Sequence, residues 1–362
     1  ELSGEQLSAY EGIKGKLNSR NPILLHGVTA SGKTEVYFKL IQDTINAGKN
    51  VLFLAPEIAL ASQLTQRIAR KFGINEVAIW HSSISDGEKY DVWNRLYNNE
   101  IKILAGARSA VFAPLQNIGL IIIDEEHENS YKSEGVPRYH ARETAIEYAR
   151  MCNASVVLGS ATPSIDSYYN AQIGRYKLLE LNTRVDDKPL PDCEVIDLRQ
   201  ELKNGNRSIL SLRLQELMED RLEKGQQTML FLNRRGKSAF MSCRACGFVV
   251  KCPHCDVSLS EHSGGVMVCH YCGYRQPVPK VCPSCGSKYI SGFKAGTQKI
   301  EAMVAKRFPQ ARILRMDYDT TRAKGSYEEI LEAFSQHRAD ILIGTQMIVK
   351  GHDFPDVTLV GV

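Results

Sequence analysis

The eight residues Gly27-Val28-Thr29-Ala30-Ser31-Gly32-Lys33-Thr34 fit the pattern G-x-x-x-x-G-K-[ST], and their setting restricts the fold more than any other feature of the chain. The apolar run Ile23 to Leu25 comes just before them, and a helix-compatible stretch, Glu35 to Ala47, comes just after. A strand, a glycine-rich turn and a helix in that order make a phosphate-binding loop. The glycines let the backbone curl until its N–H groups and the helix N-terminus face a triphosphate. Lys33 then supplies a point charge to the β and γ phosphates, and the Thr34 hydroxyl is placed to hold Mg2+.

A loop of this kind belongs to a parallel sheet, and the rest of the amino-terminal half reads that way. Short apolar runs recur at Val51 to Ala55, Val77 to Trp80, Ile101 to Ala105, Leu120 to Ile123 and Val156 to Gly159, with helix-compatible stretches such as Ala61 to Phe72 between them. Strands buried on both faces read as continuous apolar runs, and their alternation with helices marks an α/β sheet. Residues 1–185 are expected to form one such lobe. After the proline-marked passage Lys188-Pro189-Leu190-Pro191 the rhythm restarts, at Val195 to Asp197, Met229 to Leu232, Ile313 to Met316, Ile341 to Ile343 and Val357 to Val360. A second α/β lobe is expected from 186–240 and 291–362, interrupted at 241–290 by a block too rich in Gly, Pro and Cys for a large apolar core.

A formal net charge of +4, from 45 basic and 41 acidic residues, is too small to announce a polyanion partner, so any such inference must come from motifs. No apolar run is long enough for a membrane span and no charged-then-apolar leader opens the chain; the expectation is a cytoplasmic protein with no membrane partner. The first residue is Glu1 rather than methionine, and the last, Val362, falls within an apolar run; the expectation is a piece of a longer protein.

Eight of the ten cysteines form four C-x-x-C pairs, Cys243/Cys246, Cys252/Cys255, Cys269/Cys272 and Cys282/Cys285. That spacing predicts two structural Zn2+ sites of four thiolates each, with no open position for catalysis. Four tandem copies without a thioredoxin-like βαβ setting argue against redox chemistry. The thirteen residues between Cys255 and Cys269 allow a ribbon to fold back, whereas the five between Cys246 and Cys252 leave little chain for closing one site. Nested pairing is favoured: the outer pairs Cys243, Cys246, Cys282 and Cys285 on one ion, and the inner pairs Cys252, Cys255, Cys269 and Cys272 on the other. His254, His262 and His270 read as surface residues.

Triphosphate hydrolysis needs a metal-holding carboxylate and a positioned water, and Ile121-Ile122-Ile123-Asp124-Glu125-Glu126-His127 offers both at a strand end. Asp124 would share Mg2+ with Thr34, and Glu125 would orient and deprotonate the water. Farther on, Ser160-Ala161-Thr162 follows the strand run Val156 to Leu158, where small hydroxyl residues can connect the γ-phosphate site to a neighbouring element. Between the two, Tyr131, Lys132, Arg138, Tyr139 and His140 interleave rings and cations, a sequence-tolerant way to grip a single nucleic-acid strand.

The order of these segments resembles superfamily 2 helicases, and more narrowly the PriA family of primosomal replication-restart helicases, over nearly the whole chain. Gln6 resembles an adenine-reading Q motif, the phosphate loop motif I, and Leu54-Ala55-Pro56-Glu57-Ile58-Ala59-Leu60 motif Ia. Asp124 to His127 stands as the DEEH form of motif II, and Ser160, Ala161 and Thr162 as the coupling motif III. His81-Ser82-Ser83 and Gly106-Ala107-Arg108-Ser109-Ala110-Val111-Phe112 resemble segments that follow the DNA backbone, and Phe231-Leu232-Asn233-Arg234-Arg235-Gly236 resembles motif IV, whose Asn233, Arg234 and Arg235 suit backbone phosphate contact. In the motif V segment Gly344 to Phe354, the resemblance implies DNA contacts at Thr345, Gln346 and Lys350 and nucleotide contacts at Gly351 and Asp353. It implies two RecA-like parallel-sheet lobes with a small zinc-binding insertion in the second, ATP and Mg2+ as well as the two Zn2+, and an aromatic-rich loop that couples DNA contact to hydrolysis. It implies 3′ to 5′ unwinding of single-stranded and forked DNA. Its implied partners are single-stranded-DNA-binding protein and the primosome proteins that load the replicative helicase. The family's amino-terminal DNA-binding region and its motif VI arginine have no counterpart in the chain, so weak or absent activity is expected of these residues alone. Two rival readings stay open: another zinc-containing superfamily 2 DNA translocase, or a binding platform whose ATPase is vestigial.

Overall fold

A computed structural model describes residues 2–15, 21–56, 58–185, 191–232, 240–262, 264–292, 296–321, 323, 325–345, 348 and 354–362, with the side chains of 58–63 and 292 outside the description. It divides into two compact units, Glu1–Pro191 and Asp192–Val362.

In the first unit the strands are β1 (Ile23–Gly27), β2 (Asn50–Leu54), β3 (Val77–Trp80), β4 (Ile103–Gly106), β5 (Ile118–Ile123), β6 (Ser155–Ser160) and β7 (Lys177–Leu181). All pair in parallel, in the order β3-β4-β2-β5-β6-β1-β7. Successive side chains of a strand point to opposite faces, and here both faces are apolar. Leu24, Leu52, Ile121, Ile123 and Leu158 face one core, whereas Ile23, Leu25, Phe53, Leu120 and Ile122 face the other. Helices α1 (Gly4–Lys14), α2 (Lys33–Asn46) and α3 (Ile58–Phe72) cover the second face through residues such as Ile13, Ile41 and Ile68. The first face is covered by α4 (Asp86–Tyr97), α5 (Ala141–Cys152) and α6 (Ile165–Gln172), through Leu96, Ile146 and Ala171. Each fully buried branched side chain contributes about 1.5–3 kcal/mol relative to an exposed one, so the unit rests on these strands. Strand β7 was not anticipated, because Lys177-Leu178-Leu179-Glu180-Leu181 carries two charges and sits at an edge.

The second unit contains α7 (Leu198–Lys203), α8 (Leu212–Glu223), β8 (Gln227–Phe231), a cysteine block with the short strands β9 (Met241–Cys243), β10 (Ser260–His262), β11 (Val266–Val268), β12 (Arg275–Pro277) and β13 (Ile290–Gly292), then α9 (Thr297–Arg307), β14 (Ile313–Met316), α10 (Ser326–Ser335), β15 (Ile341–Gly344) and β16 (Val357–Gly361). Strands β14, β15, β8 and β16 form a parallel sheet in that order. One face packs on α8 and α9 through Met218, Ile300 and Val304; the other packs on α10 through Leu331 and Phe334. The block between β8 and α9 has a small core of its own, in which Met241, Val250, Leu259 and Met267 surround four cysteines.

The expected strand at Val195 to Asp197 is a correction. Those residues lie outside strands, and the Asp197 carboxylate caps α7 by accepting from the backbone N–H of Arg199 at 2.9 Å. A short aspartate side chain favours a helix cap over a strand interior.

Candidate functional site

The phosphate loop leaves the sheet at Gly27 and enters α2 at Lys33. Backbone bonds from Val28 N–H to Leu181 O (3.0 Å), from Ser31 N–H to Val28 O (3.1 Å) and from Val185 N–H to Ala30 O (3.0 Å) shape it. Gly32, at φ 78°, is the cap residue of α2, and no side chain caps that helix. A Cβ on Gly32 would come within 2.2 Å of Gln6 Nε2, and one on Gly27 within 2.6 Å of Ser31 Oγ. The loop thus presents the N-terminus of a helix that no side chain caps, in a cradle too tight for side chains. Among the described residues the buried Ser31 Oγ has no hydrogen-bond partner, which fits a phosphate oxygen as its acceptor. The Lys33 ammonium donates to Gly27 O at 2.8 Å, across the mouth of the loop. Thr34, in the first turn of α2, is partly buried, whereas Thr29 and Ala30 are exposed.

Asp124 follows β5, two strands from β1 with β6 between. Its N–H donates to Leu54 O at 3.0 Å, which continues the sheet bonding by one residue. Burial, and then the neighbouring Glu125 charge, raise its carboxyl pKa to about 6, against the opposing pull of Lys33 and of a hydrogen bond from Tyr37. A carboxylate so placed suits a divalent cation, whose charge offsets both raising effects. Glu125 adopts a left-handed backbone, φ 47°, rare for a residue with a side chain; Glu128 N–H closes the turn on Glu125 O at 3.0 Å.

Glu126 has a different use. It is fully buried, and its carboxylate accepts from Arg142 Nη1 (2.7 Å), Ser164 N–H (2.8 Å), Ser164 Oγ (3.1 Å) and Ser167 Oγ (2.8 Å). One side chain thereby ties the turn after β5 to the start of α5 and to the cap of α6. His127 reaches the Ser160-Ala161-Thr162 segment: Nδ1 lies 2.7 Å from Ser160 Oγ and Nε2 3.4 Å from Thr162 Oγ1. Ser160 is buried and also accepts from Thr162 N–H at 3.0 Å; Ala161 is partly buried.

Gln6 is buried with its amide engaged at both ends, the oxygen accepting from Ser3 N–H at 2.9 Å and the nitrogen donating to Ser31 O at 3.0 Å. In this structure it caps α1 and steadies the phosphate loop, and those two bonds leave one N–H and one lone pair of the amide uncommitted. Tyr131 is a plain correction to the nucleic-acid reading. Its ring is fully buried, and its hydroxyl donates to Leu54 O (3.0 Å) and Asp124 O (2.6 Å), so no face is open for a base. His140 is partly buried, and its Nδ1 caps α5 by accepting from Arg142 N–H at 3.3 Å. Arg108, beside the partly buried Ser109, spends Nη1 on the carbonyls of Ser130 (3.1 Å) and Lys132 (2.8 Å), which clamps the backbone on both sides of Tyr131. Lys132 and Arg138 are exposed, and Tyr139 is partly buried edge-on to Phe112, at 4.8 Å between centroids. Phe112, which ends the segment Gly106 to Phe112, is 55% exposed. Thr345 follows β15 and is partly buried. Asn233, Arg234, Arg235, Gln346, Lys350, Gly351 and Asp353 lie outside the described residues.

In the cysteine block the sulfurs gather as Cys243, Cys246, Cys282 and Cys285, and as Cys252, Cys255, Cys269 and Cys272, each set within 4.8 Å. Sulfur separations of 3.6 Å (Cys243 to Cys285), 3.6 Å (Cys246 to Cys282) and 3.5 Å (Cys252 to Cys272) approach the ~3.8 Å edge of a tetrahedron with ~2.3 Å metal–sulfur bonds. The four knuckles share one turn. In each, the residue after the second cysteine bonds back to the first cysteine's carbonyl, and that residue, Gly247, Asp256, Gly273 or Gly286, has positive φ. All-thiolate sets of this size fit zinc and leave no vacant coordination position. Among the described residues, no helix is long and apolar enough to cross a membrane.

Residues 5–171 match the family model for DEAD/DEAH box helicases, and residues 252–277 match the PriA DNA helicase Cys-rich region domain. Replication restart protein PriA from Bacillus subtilis is 51% identical over all of this chain and 45% of its own length. The Synechocystis protein of that name is 47% identical, covering 100% of this chain and 44% of the relative, and that of Treponema pallidum is 42% identical, covering 100% and 54%. The chain thus spans about half the length of these curated relatives. Two solved structures share the fold: RecG bound to a three-way DNA junction (TM-score 0.54, 18% identity, covering 99% of this chain and 38% of that one) and the Mycobacterium smegmatis helicase Lhr bound to single-stranded DNA and AMP-PNP (0.58, 15%, 99% and 42%).

Proposed function

This chain belongs to the PriA family of replication restart proteins, and from that premise we propose that it is the ATP-driven motor core of a DNA helicase that acts in replication restart. The observation that carries the proposal is the phosphate loop on β1 and the Asp124–Glu125 pair after β5 at the same, carboxyl end of one parallel sheet, where α/β proteins bind their ligands. Lys33 meets the β and γ phosphates, the Ser31 hydroxyl and the first N–H groups of α2 hold the remaining oxygens, and Glu125 orients the attacking water and takes its proton. Magnesium, when bound through Thr34 and Asp124, neutralises phosphate oxygens. The two four-cysteine clusters hold zinc and brace the second unit.

On the nucleic-acid side, exposed Lys132 and Arg138 meet phosphates, and Tyr139 with Phe112 offers aromatic surface beside them. The His127 contacts to Ser160 and Thr162 support a link between the hydrolytic turn and the segment before α6. Family membership supports single-stranded and forked DNA as substrate, 3′ to 5′ movement, single-stranded-DNA-binding protein and helicase-loading proteins as partners, and a cytoplasmic location. The domain scheme that goes with this function is a lobe at 1–185, a second at 186–240 and 291–362, and a zinc insertion at 241–290.

The test is ATP binding by this chain and by its Lys33→Ala variant, with hydrolysis in the presence and absence of single-stranded DNA measured on the longest version of the protein that contains it. Nucleotide binding that survives Lys33→Ala undiminished would sink the proposal, and hydrolysis indifferent to DNA would remove the motor from it. Duplexes with 3′ or 5′ single-stranded tails then read polarity.

A further inference from the structure

Helix α2 carries a second polar side chain toward the site, one turn beyond Lys33. Residues four apart share a helix face, and on that face Tyr37 is fully buried with its hydroxyl donating to Asp124 Oδ1 at 3.0 Å. Room for the phenol exists because residue 159 of the intervening strand β6 is glycine. A Cβ there would lie 1.6 Å from the Tyr37 oxygen and 3.3 Å from Asp124 Oδ1. Phe53 packs edge-on against the ring at 5.6 Å between centroids, which fixes its plane. Asp124 is held at its other end too, since its carbonyl accepts the Tyr131 hydroxyl at 2.6 Å.

We propose that Tyr37 is a positioning residue for Asp124, restraining one carboxylate oxygen through its hydroxyl so that the other is presented to the metal-bearing face of the nucleotide. This rests on the nucleotide-binding reading above. A phenylalanine would fill the same volume, so packing alone gives no reason for a hydroxyl at this depth; a buried donor aimed at a carboxylate does. The arrangement also registers the two halves of the site. One helix carries both the lysine that meets phosphate and the phenol that orients the carboxylate, so the phosphate loop and the metal ligand keep a fixed separation.

The experiment measures binding of a fluorescent ATP analogue over a series of Mg2+ concentrations, for the parent chain, Tyr37→Phe and Tyr10→Phe. Tyr10→Phe is a matched control, because its phenol donates to Asp43, a carboxylate on the same helix, outside the site. Loss of one charge-assisted hydrogen bond should raise the half-saturating Mg2+ of Tyr37→Phe about tenfold. Its affinity for the analogue without Mg2+ should stay within about twofold of the parent, and Tyr10→Phe should keep the parent's Mg2+ dependence. Unchanged Mg2+ dependence in Tyr37→Phe, beside a parent that binds in a Mg2+-dependent way, would overturn the proposal alone. A parent chain with no Mg2+-dependent binding would overturn the functional reading and this inference together. A Tyr37→Phe chain that no longer unfolds cooperatively would assign the hydroxyl to the fold and also overturn it.

Discussion

Replacing Arg142 with methionine removes one partner of a buried ion pair while keeping an unbranched side chain of similar length. The guanidinium side chain is 8% exposed and that of Glu126 0%, so water screens neither. Arg142 Nη1 donates to Glu126 Oε2 at 2.7 Å, to Ser164 Oγ at 2.7 Å and to Ser167 Oγ at 3.2 Å. After substitution the Glu126 carboxylate keeps only neutral donors. Breaking such a pair from one side costs about 3–5 kcal/mol, which in a domain of 150–250 residues corresponds to a fall in Tm of about 6–20 °C. The assay can be confined to the first unit, because both tryptophans of the chain, Trp80 and Trp93, lie in it with ring centroids 6.1 Å apart. Urea unfolding followed by tryptophan emission therefore reports that unit. Adding Glu126→Gln to Arg142→Met removes the stranded charge and should recover at least about 1 kcal/mol, a coupling expected only of groups in contact. An Arg142→Met chain within about 0.5 kcal/mol of the parent, or two single losses that merely add, would refute the view that Glu126 ties the hydrolytic turn to α5 and α6.

Nested cluster pairing makes the paired substitution Cys246→Ser/Cys285→Ser lose one zinc and Cys246→Ser/Cys255→Ser lose both, read as zinc per chain with a chromogenic chelator; the reverse pattern would support consecutive pairing. Gly159→Ala should cost about 1–3 kcal/mol in urea unfolding, since its methyl group must displace the Tyr37 hydroxyl, and a neutral outcome would contradict the close approach. Tyr131→Phe should lower stability by about 1–3 kcal/mol, by leaving buried carbonyls short of a donor, while single-stranded DNA affinity in a fluorescence anisotropy titration stays within about twofold of the parent. Lys132→Ala and Arg138→Ala should leave stability unchanged and each reduce the salt dependence of DNA binding by about one ion; an unchanged salt slope would remove them from the DNA surface.

What could be read from the chain alone was whatever is encoded over short sequence distances. The phosphate loop is one contiguous segment, so its glycines, Lys33 and Thr34 announce their own conformation. The four cysteine pairs do the same through their spacing. Strands β1, β2, β5 and β6 were visible because burial on both faces demands unbroken apolar runs. Strand β7 escaped, since an edge position tolerates Lys177 and Glu180 and so erases that signal.

The uses of individual polar side chains were settled only by tertiary packing. Tyr131 reads as a stacking residue between cations, yet its phenol is enclosed on two backbone carbonyls from different strand ends. Glu126 reads as one more acid in a loop, and is the most enclosed carboxylate of the motif, because Arg142, Ser164 and Ser167 converge on it from 16 to 41 residues away. Tyr37 shows no sequence signal at all; its partner is 87 residues distant, and the glycine that admits it stands on a third element. Sequence periodicity specifies which face of an element is apolar. It does not specify which distant donor will meet a given acceptor, since that depends on how three or more elements close on one another, and here that closure leaves Phe112 exposed while it encloses Tyr37 and Tyr131 against Asp124.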